Sequence, residues 1–202
     1  GKEISGLNAI ILHLGNGASA SAIKNGESIN TSMGLTPLQG LVMGTRSGDI
    51  DPAIVAYLER VAKMSIDEVD ASLNKNAGLK GLTGDSDLRD VESRAIAGDQ
   101  VAIDALAVYS MRIKHYIGAY LAQIGPIDAL VFTAGVGENS VEMRAQITSG
   151  LEHLGIKVDP DKNQLRDKAA RDISVEGASV EVLVVPTNEE LAIAIQTAEF
   201  LS

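Results

Sequence analysis

The chain has 202 residues, a formal net charge of −10, 45% hydrophobic residues, 3% aromatic residues, and neither Cys nor Trp. That length supports one sizeable core with room for a small second lobe, and the scarcity of aromatic residues makes the core aliphatic. The charge argues against a broad nucleic-acid surface; the lack of Cys removes disulfides and thiolate catalysis and fits a cytoplasmic setting; and no apolar run approaches the roughly 20 residues that a bilayer crossing needs. The chain opens Gly1-Lys2-Glu3, without Met, and enters a core-like strand almost at once. That start reads as a cut boundary with a domain upstream.

In chain order, AIILHL (residues 9–14) predicts a buried strand, Gly15-Asn16-Gly17 a turn, and residues 18–24 a second strand. Asn25-Gly26 is a type I′ hairpin signal, and residues 27–31 form a third strand, completing a β-meander. Residues 33–52 follow as MGLTPLQGLVMGTRSGDIDP, with four glycines, no sustained period and a single cation, Arg46. Long irregular segments in compact domains are usually functional or disordered. Leu35, Leu38, Leu41, Val42 and Met43 are too apolar for disorder. The alternative is a structural loop whose glycines let it turn tightly.

A helix starts at Asp51 as N-cap with Pro52 in its first turn, and its apolar stripe is Ile54, Val55, Leu58 and Val61. Ser65 and Glu68 form a capping box for a short second helix. Residues 79–90 read as another glycine-bearing loop. Gly98 separates a short helix from a long one, in which Leu106, Tyr109, Ile113, Tyr116, Ile117 and Tyr120 recur at core spacing. Gly125-Pro126 ends that helix. Residues 128–133 predict a buried strand, and 134–140 (AGVGENS) lead into a helix near Val141. Residues 154–158 suggest a further strand, residues 159–171 a polar, peripheral stretch, and residues 180–185 a last buried strand. Thr187 and Glu190 cap a final helix. Strands alternating with helices at the end imply parallel pairing, and the class is α/β.

Several turns could carry chemistry. His13-Leu14-Gly15-Asn16-Gly17 ends a strand in a hairpin where backbone amides can approach a phosphate; a plain hairpin explains it equally. Gly135-Val136-Gly137-Glu138-Asn139 sits at a strand's carboxyl end and opens a helix, a place that favours anionic ligands, yet it is neither a Walker A loop nor a dinucleotide fingerprint. Asp85-Ser86-Asp87-Leu88-Arg89-Asp90 mixes carboxylates with an Arg that could contact ribose and base, or could be a helix cap with a local ion pair. Glu189, after the last strand, could hold Mg²⁺ through water. His13, His115 and His153 show no metal-ligand spacing. His13 could touch a ligand at the turn or serve as a satisfied structural histidine.

Together HLGNGAS, NTSMGLTPLQGLVMGTRSGDIDP, DSDLRD, FTAGVGENS and PTNEELAIA resemble the acetate kinase family, in that family's order and over nearly the whole chain. The resemblance extends to propionate kinase. It implies the ribonuclease H-like, actin-like ATPase domain of the acetate and sugar kinase, Hsp70 and actin superfamily, a meander followed by βα units. It implies reversible transfer of the ATP γ-phosphoryl to acetate, giving acetyl phosphate and ADP.

By the same resemblance, residues 13–17 are a phosphate loop, Asp87, Leu88 and Arg89 contact ribose and adenine, and residues 135–139 form the adenosine motif. Glu189 then serves Mg²⁺ (or Mn²⁺), and Arg46 stabilises the transition state. The resemblance covers only the carboxyl-terminal half of the family's chain. Residues 1–202 are therefore expected to be a nucleotide-binding domain whose amino-terminal partner, carrying the acyl-substrate Arg and a catalytic Asp, is absent, so that the chain alone holds nucleotide but turns over little. The family is homodimeric and cytoplasmic. The alternatives are a propionate kinase domain, a non-catalytic nucleotide-binding or dimerisation module of the same fold, or an α/β domain with unrelated glycine turns.

Overall fold

A computed structural model describes residues 3–201. Its centre is a six-stranded mixed sheet of β1 (Ala9–Leu14), β2 (Ala18–Lys24), β3 (Glu27–Thr31), β4 (Ala129–Thr133), β5 (Arg171–Asp172) and β6 (Glu181–Val184). The spatial order is β3-β2-β1-β4-β6-β5. The meander pairs antiparallel, with Leu12 opposite Ala20. β1 runs parallel to β4, and β4 parallel to β6. The α/β class and the parallel pairing agree with the sequence reading. β5, a two-residue antiparallel edge strand, was not foreseen. Residues 154–158 do not form the suggested strand: Ile156 and Val158 make only isolated bridges.

The helices are α1 (Ala53–Ala62), α2 (Ile66–Lys75), α3 (Gly78–Thr83), α4 (Leu88–Ile96), α5 (Gln100–Ile124), α6 (Ala134–Asn139), α7 (Val141–Thr148), α8 (Pro160–Gln164) and α9 (Glu189–Leu201). α5 is the organising helix. It buries Ala102, Ala105, Leu106, Tyr109, Ile113, Ile117, Tyr120 and Ile124 at three- and four-residue spacing, and Leu12, Ala20, Leu130 and Val182 lie in the same core. Ser65 and Glu68 form the full capping box, with reciprocal hydrogen bonds of 3.3 and 2.7 Å. Asp51 accepts from the Ala53 amide at 2.9 Å, as an N-terminal cap should.

Other expectations are corrected. The stripe on α1 is not covered among the described residues: Ile54 is 37% and Val61 60% exposed. Periodicity identifies a face that can be buried but not what buries it. Within residues 79–90, two segments are helical, α3 and the start of α4, and only four residues between them form a loop. Residues 134–139 are themselves a short helix rather than a lead into one. The 159–171 stretch is not wholly peripheral, since Asn163 is buried. At α9 the cap is Asn188, which accepts from the Leu191 amide at 3.1 Å; the Thr187 hydroxyl instead donates to Glu138 at 3.3 Å. No helix among the described residues is long and apolar enough to cross a membrane.

Candidate nucleotide site

The carboxyl ends of β1 and β4 lie side by side, His13 in register with Thr133. The two turns leaving them, 15–17 and 134–139, therefore face one crevice, the place where open α/β sheets bind ligands. Ala134, at the strand-to-helix junction, holds φ at 64°. A side chain in that left-handed region costs about 1 kcal/mol or more, and such strain gathers at functional sites.

A cavity of about 1020 Å³ opens from this crevice. One end is lined by Gly15, Asn16 and Gly44, and its flanks by Asp87, Leu88 and Arg89 on α4 and by Gly135, Val136, Glu138 and Asn139 on α6. Nine of the expected ligand residues are thus brought together. Four others stand apart. His13 lines a neighbouring cavity with Thr187, Asn188 and Glu190. Leu14 is fully buried in the core, so only its backbone could meet a ligand. Gly137 packs on β4, where a Cβ would meet Phe132 at 3.3 Å. Gly17 turns toward Arg46 instead. Glu189 opens α9, and its side chain lies outside the described residues.

The segment 33–52 is well anchored. Leu41 and Met43 are fully buried. Amides at the start of α3 hold its carbonyls, Leu79 N–H donating to Met43 O and Lys80 N–H to Gly44 O, both at 2.9 Å. Asp49 accepts from the Tyr116 hydroxyl at 2.7 Å and pairs with Arg112 at 3.6 Å. Tyr116 thus does more than fill the core. The segment then lands on the first turn: Gly44 N–H donates to Asn16 O at 3.0 Å. A Cβ on Gly44 would sit 2.0 Å from Asn16 Oδ1 and 2.8 Å from Ser86 O. This contact closes the end of the cavity.

Arg46 is delivered by that landing. A Cβ built on Gly17 would lie 3.2 Å from Arg46 Nη1. The guanidinium donates to Pro37 O at 3.2 Å and forms no ion pair among the described residues. The Asn16 side chain makes no hydrogen bond among them either. A free cation and a free amide therefore stand at one turn, suited to an anion.

The opposite flank is partly explained without a ligand. Asp87 caps α4 by accepting from the Arg89 amide at 3.0 Å, and the Arg89 guanidinium pairs with it at 2.5 Å. The hydrogen bonds from Arg89 hold the Asp87 carboxyl down to about 2. Both side chains are exposed at the cavity mouth, so the pair is cheap to rearrange. Arg94 ties α4 to the preceding loop through Asp85 at 2.5 Å and to the N-cap of α5 through Asp99 at 2.7 Å.

Behind α6 sits Arg144, 1% exposed. It donates to Gly137 O and Glu138 O, both at 2.9 Å, and to Asn163 Oδ1 at 2.7 Å and Asn163 O at 2.8 Å. Burial, with Arg171 nearby, lowers its pKa to about 10. A cation fits the carbonyl end of a helix, and this one fixes the 134–139 turn from the rear. Arg144, Asn163, Gly44, Ser86, Glu92, Tyr109 and Ser140 were missed as site residues. Gly44, Ser86 and Ser140 lie inside the motifs that carry the family resemblance, whereas the spacing of Tyr109 on α5 pointed to the core.

The described residues contain no group of three or more His, Cys, Asp or Glu side chains able to hold an ion. By themselves they do not fit a resident metal.

Residues 1–195 match the model of the acetokinase family. The chain is 56% identical over 197 residues to the acetate kinase of Clavibacter michiganensis subsp. michiganensis, covering 98% of this chain and 50% of that one. It is 57% identical over 199 residues to the acetate kinase of Leifsonia xyli subsp. xyli, with the same coverage. Among solved structures it is similar to Porphyromonas gingivalis acetate kinase, with a TM-score of 0.93 and 41% identity over 98% of this chain and 50% of that one. It is also similar to a propionate kinase from Francisella tularensis subsp. tularensis, with a TM-score of 0.88 and 44% identity over 93% and 48%. The chain spans about half the length of the curated relatives it matches. Its mixed sheet and helices fit the α/β, actin-like ATPase fold of these neighbours, and the chain belongs to the acetokinase family.

Proposed function

We propose that this chain is the nucleotide-binding half of an acetate kinase, which reversibly moves the γ-phosphoryl of ATP to acetate, giving acetyl phosphate and ADP. The observation that carries the reading is the Arg46 guanidinium, without an ion pair among the described residues, beside Gly17 of the turn whose Gly15 and Asn16 line the cavity. In this reading the nucleotide base and ribose lie between Asp87–Arg89 and Gly135–Asn139. The phosphates point toward Gly15, Asn16 and Gly17, with Leu14 contributing backbone only and His13 at the neighbouring edge.

As the bond from Pγ to the β,γ-bridging oxygen breaks and one forms from an acetate oxygen, negative charge spreads over the equatorial oxygens. A preorganised cation stabilises that distribution without reorganising. The landing of 33–52 on Asn16 supplies the preorganisation. Mg²⁺, or Mn²⁺, would arrive with the nucleotide phosphates, which suits an ion usually held by one or two carboxylates and several oxygens of substrate and water; Glu189 is the carboxylate that the family resemblance suggests. The acyl pocket belongs to the other half of the protein. The assembly is a homodimer and its setting the cytoplasm.

In the two-domain protein, Arg46→Ala is expected to lower kcat at least about 100-fold, with little change in nucleotide affinity. An unchanged kcat would overturn the role given to Arg46. A second reading, propionate kinase, rests on the 44% identity to the Francisella enzyme, below the 56% and 57% to the Clavibacter and Leifsonia acetate kinases. The ratio of kcat/KM for acetate and propionate in the two-domain protein decides between them.

A further inference from the structure

The far part of the cavity has a polar floor that the proposed reaction does not use. Glu92, one turn beyond Leu88 on α4, lines it together with Tyr109 of α5 and with Ser140, the residue joining α6 to α7. The Ser140 hydroxyl donates its proton to Glu92 Oε1. Ser140 Oγ in turn accepts from the Met143 amide at 2.9 Å. Burial raises the Glu92 carboxyl above the usual carboxylate range, and Glu142 adds to this. Tyr109 is 1% exposed, and its hydroxyl has no partner among the described residues. A desolvated carboxylate beside an unsatisfied hydroxyl is costly, so its retention calls for a use.

The use lies in what the bond joins. Glu92 belongs to α4, which carries Asp87, Leu88 and Arg89. Ser140 follows Asn139 and so ends the other flank, Gly135–Asn139. We propose that the Glu92–Ser140 hydrogen bond is a strap that sets the spacing of the two flanks, making Glu92 a positioning residue for the base of the nucleotide. This rests on the reading that a nucleotide lies in this cavity. A planar base gains dispersion from both flanks only when each stands about 3.5–4.0 Å from its face, and a gap of about 0.5–1 Å forfeits a quarter to a half of that gain. Glu92 is half-buried and Ser140 buried, so solvent dilutes the strap less than it would a surface hydrogen bond.

The test is calorimetric titration of the protein with ADP and, separately, with inosine diphosphate, which lacks the 6-amino group. Glu92→Ala is expected to weaken both ligands about tenfold, which is about 1.4 kcal/mol, and to a similar degree. Glu92→Gln, whose amide oxygen still accepts from Ser140, is expected to stay within about threefold of wild type. Ser140→Asp keeps a cap for α7 but repels Glu92, and is expected to lose affinity for both ligands to a similar degree. Unchanged affinity in Glu92→Ala and Ser140→Asp would overturn the strap. A loss confined to ADP would also overturn it, in favour of direct reading of the amino group. If the wild type binds neither ligand, the nucleotide reading falls and the strap falls with it.

Discussion

The meander contains two Asn-Gly turns, and they use the same dipeptide for different reasons. At Asn25-Gly26 both residues hold positive φ, 53° and 79°, the mirror-image geometry that suits a two-residue hairpin. At Gly15-Asn16-Gly17 no residue has φ in the left-handed region, and the turn closes with Gly15 N–H donating to Gly17 O at 3.0 Å. Glycine there leaves room instead. Gly44 lands on Asn16, and Arg46 stands beside Gly17. A turn that is glycine for its own conformation is architecture. A turn that is glycine for what approaches it is a candidate site.

Three substitutions can break or sharpen that distinction. Gly44→Ala places a Cβ 2.0 Å from Asn16 Oδ1 and 2.8 Å from Ser86 O, and a main-chain carbonyl cannot swing aside as a side chain can. It is expected to cost about 1–3 kcal/mol of stability and to abolish ADP binding in a calorimetric titration. Gly26→Ala meets Ile4 O at 2.3 Å with φ at 79°. A loss of about 1–2 kcal/mol, read from denaturant unfolding, with ADP affinity intact would mark that turn as purely structural. Asn16→Ala removes a side chain with no hydrogen bond among the described residues, so stability should move by less than about 0.5 kcal/mol. ADP affinity should nevertheless fall severalfold. If Asn16→Ala instead destabilised the fold and left affinity unchanged, the two turns would be alike.

Much of the framework was legible. The first three strands follow from AIILHL, the turn residues and the Asn25-Gly26 signal, because local propensity and tertiary pairing agree there. The Ser65 and Glu68 cap is likewise local chemistry. What escaped depends on distant partners. α3 reads as a loop because Gly78, Gly81 and Gly84 disfavour a helix, yet its first amides are occupied by carbonyls of Met43 and Gly44. Asn163 falls in a stretch that reads as polar and peripheral, and nothing local to Arg144 tells a buried cation from a solvated one. The Asp87 and Arg89 pair is the opposite case: both readings of that motif, cap and ligand contact, are compatible with an exposed pair at a cavity mouth. Arg46 was conspicuous from its isolation among glycines, but its place beside Gly17 needed the fold.

The insertion of β4 between β1 and β6 also governs when the crevice can exist during folding. The meander joins neighbours in the chain and can close early. β4 must find Ala9 through Ala129, across most of the domain, and β6 must then find β4 from the other side. Such long-range parallel closures are slow and entropically late. A growing chain thus displays the Gly15–Gly17 turn long before the 134–139 turn can face it across the crevice. A ligand of this crevice could not template the early steps of folding. It could only latch the finished sheet by mass action, and refolding with and without nucleotide would then differ in the unfolding limb of the kinetics alone.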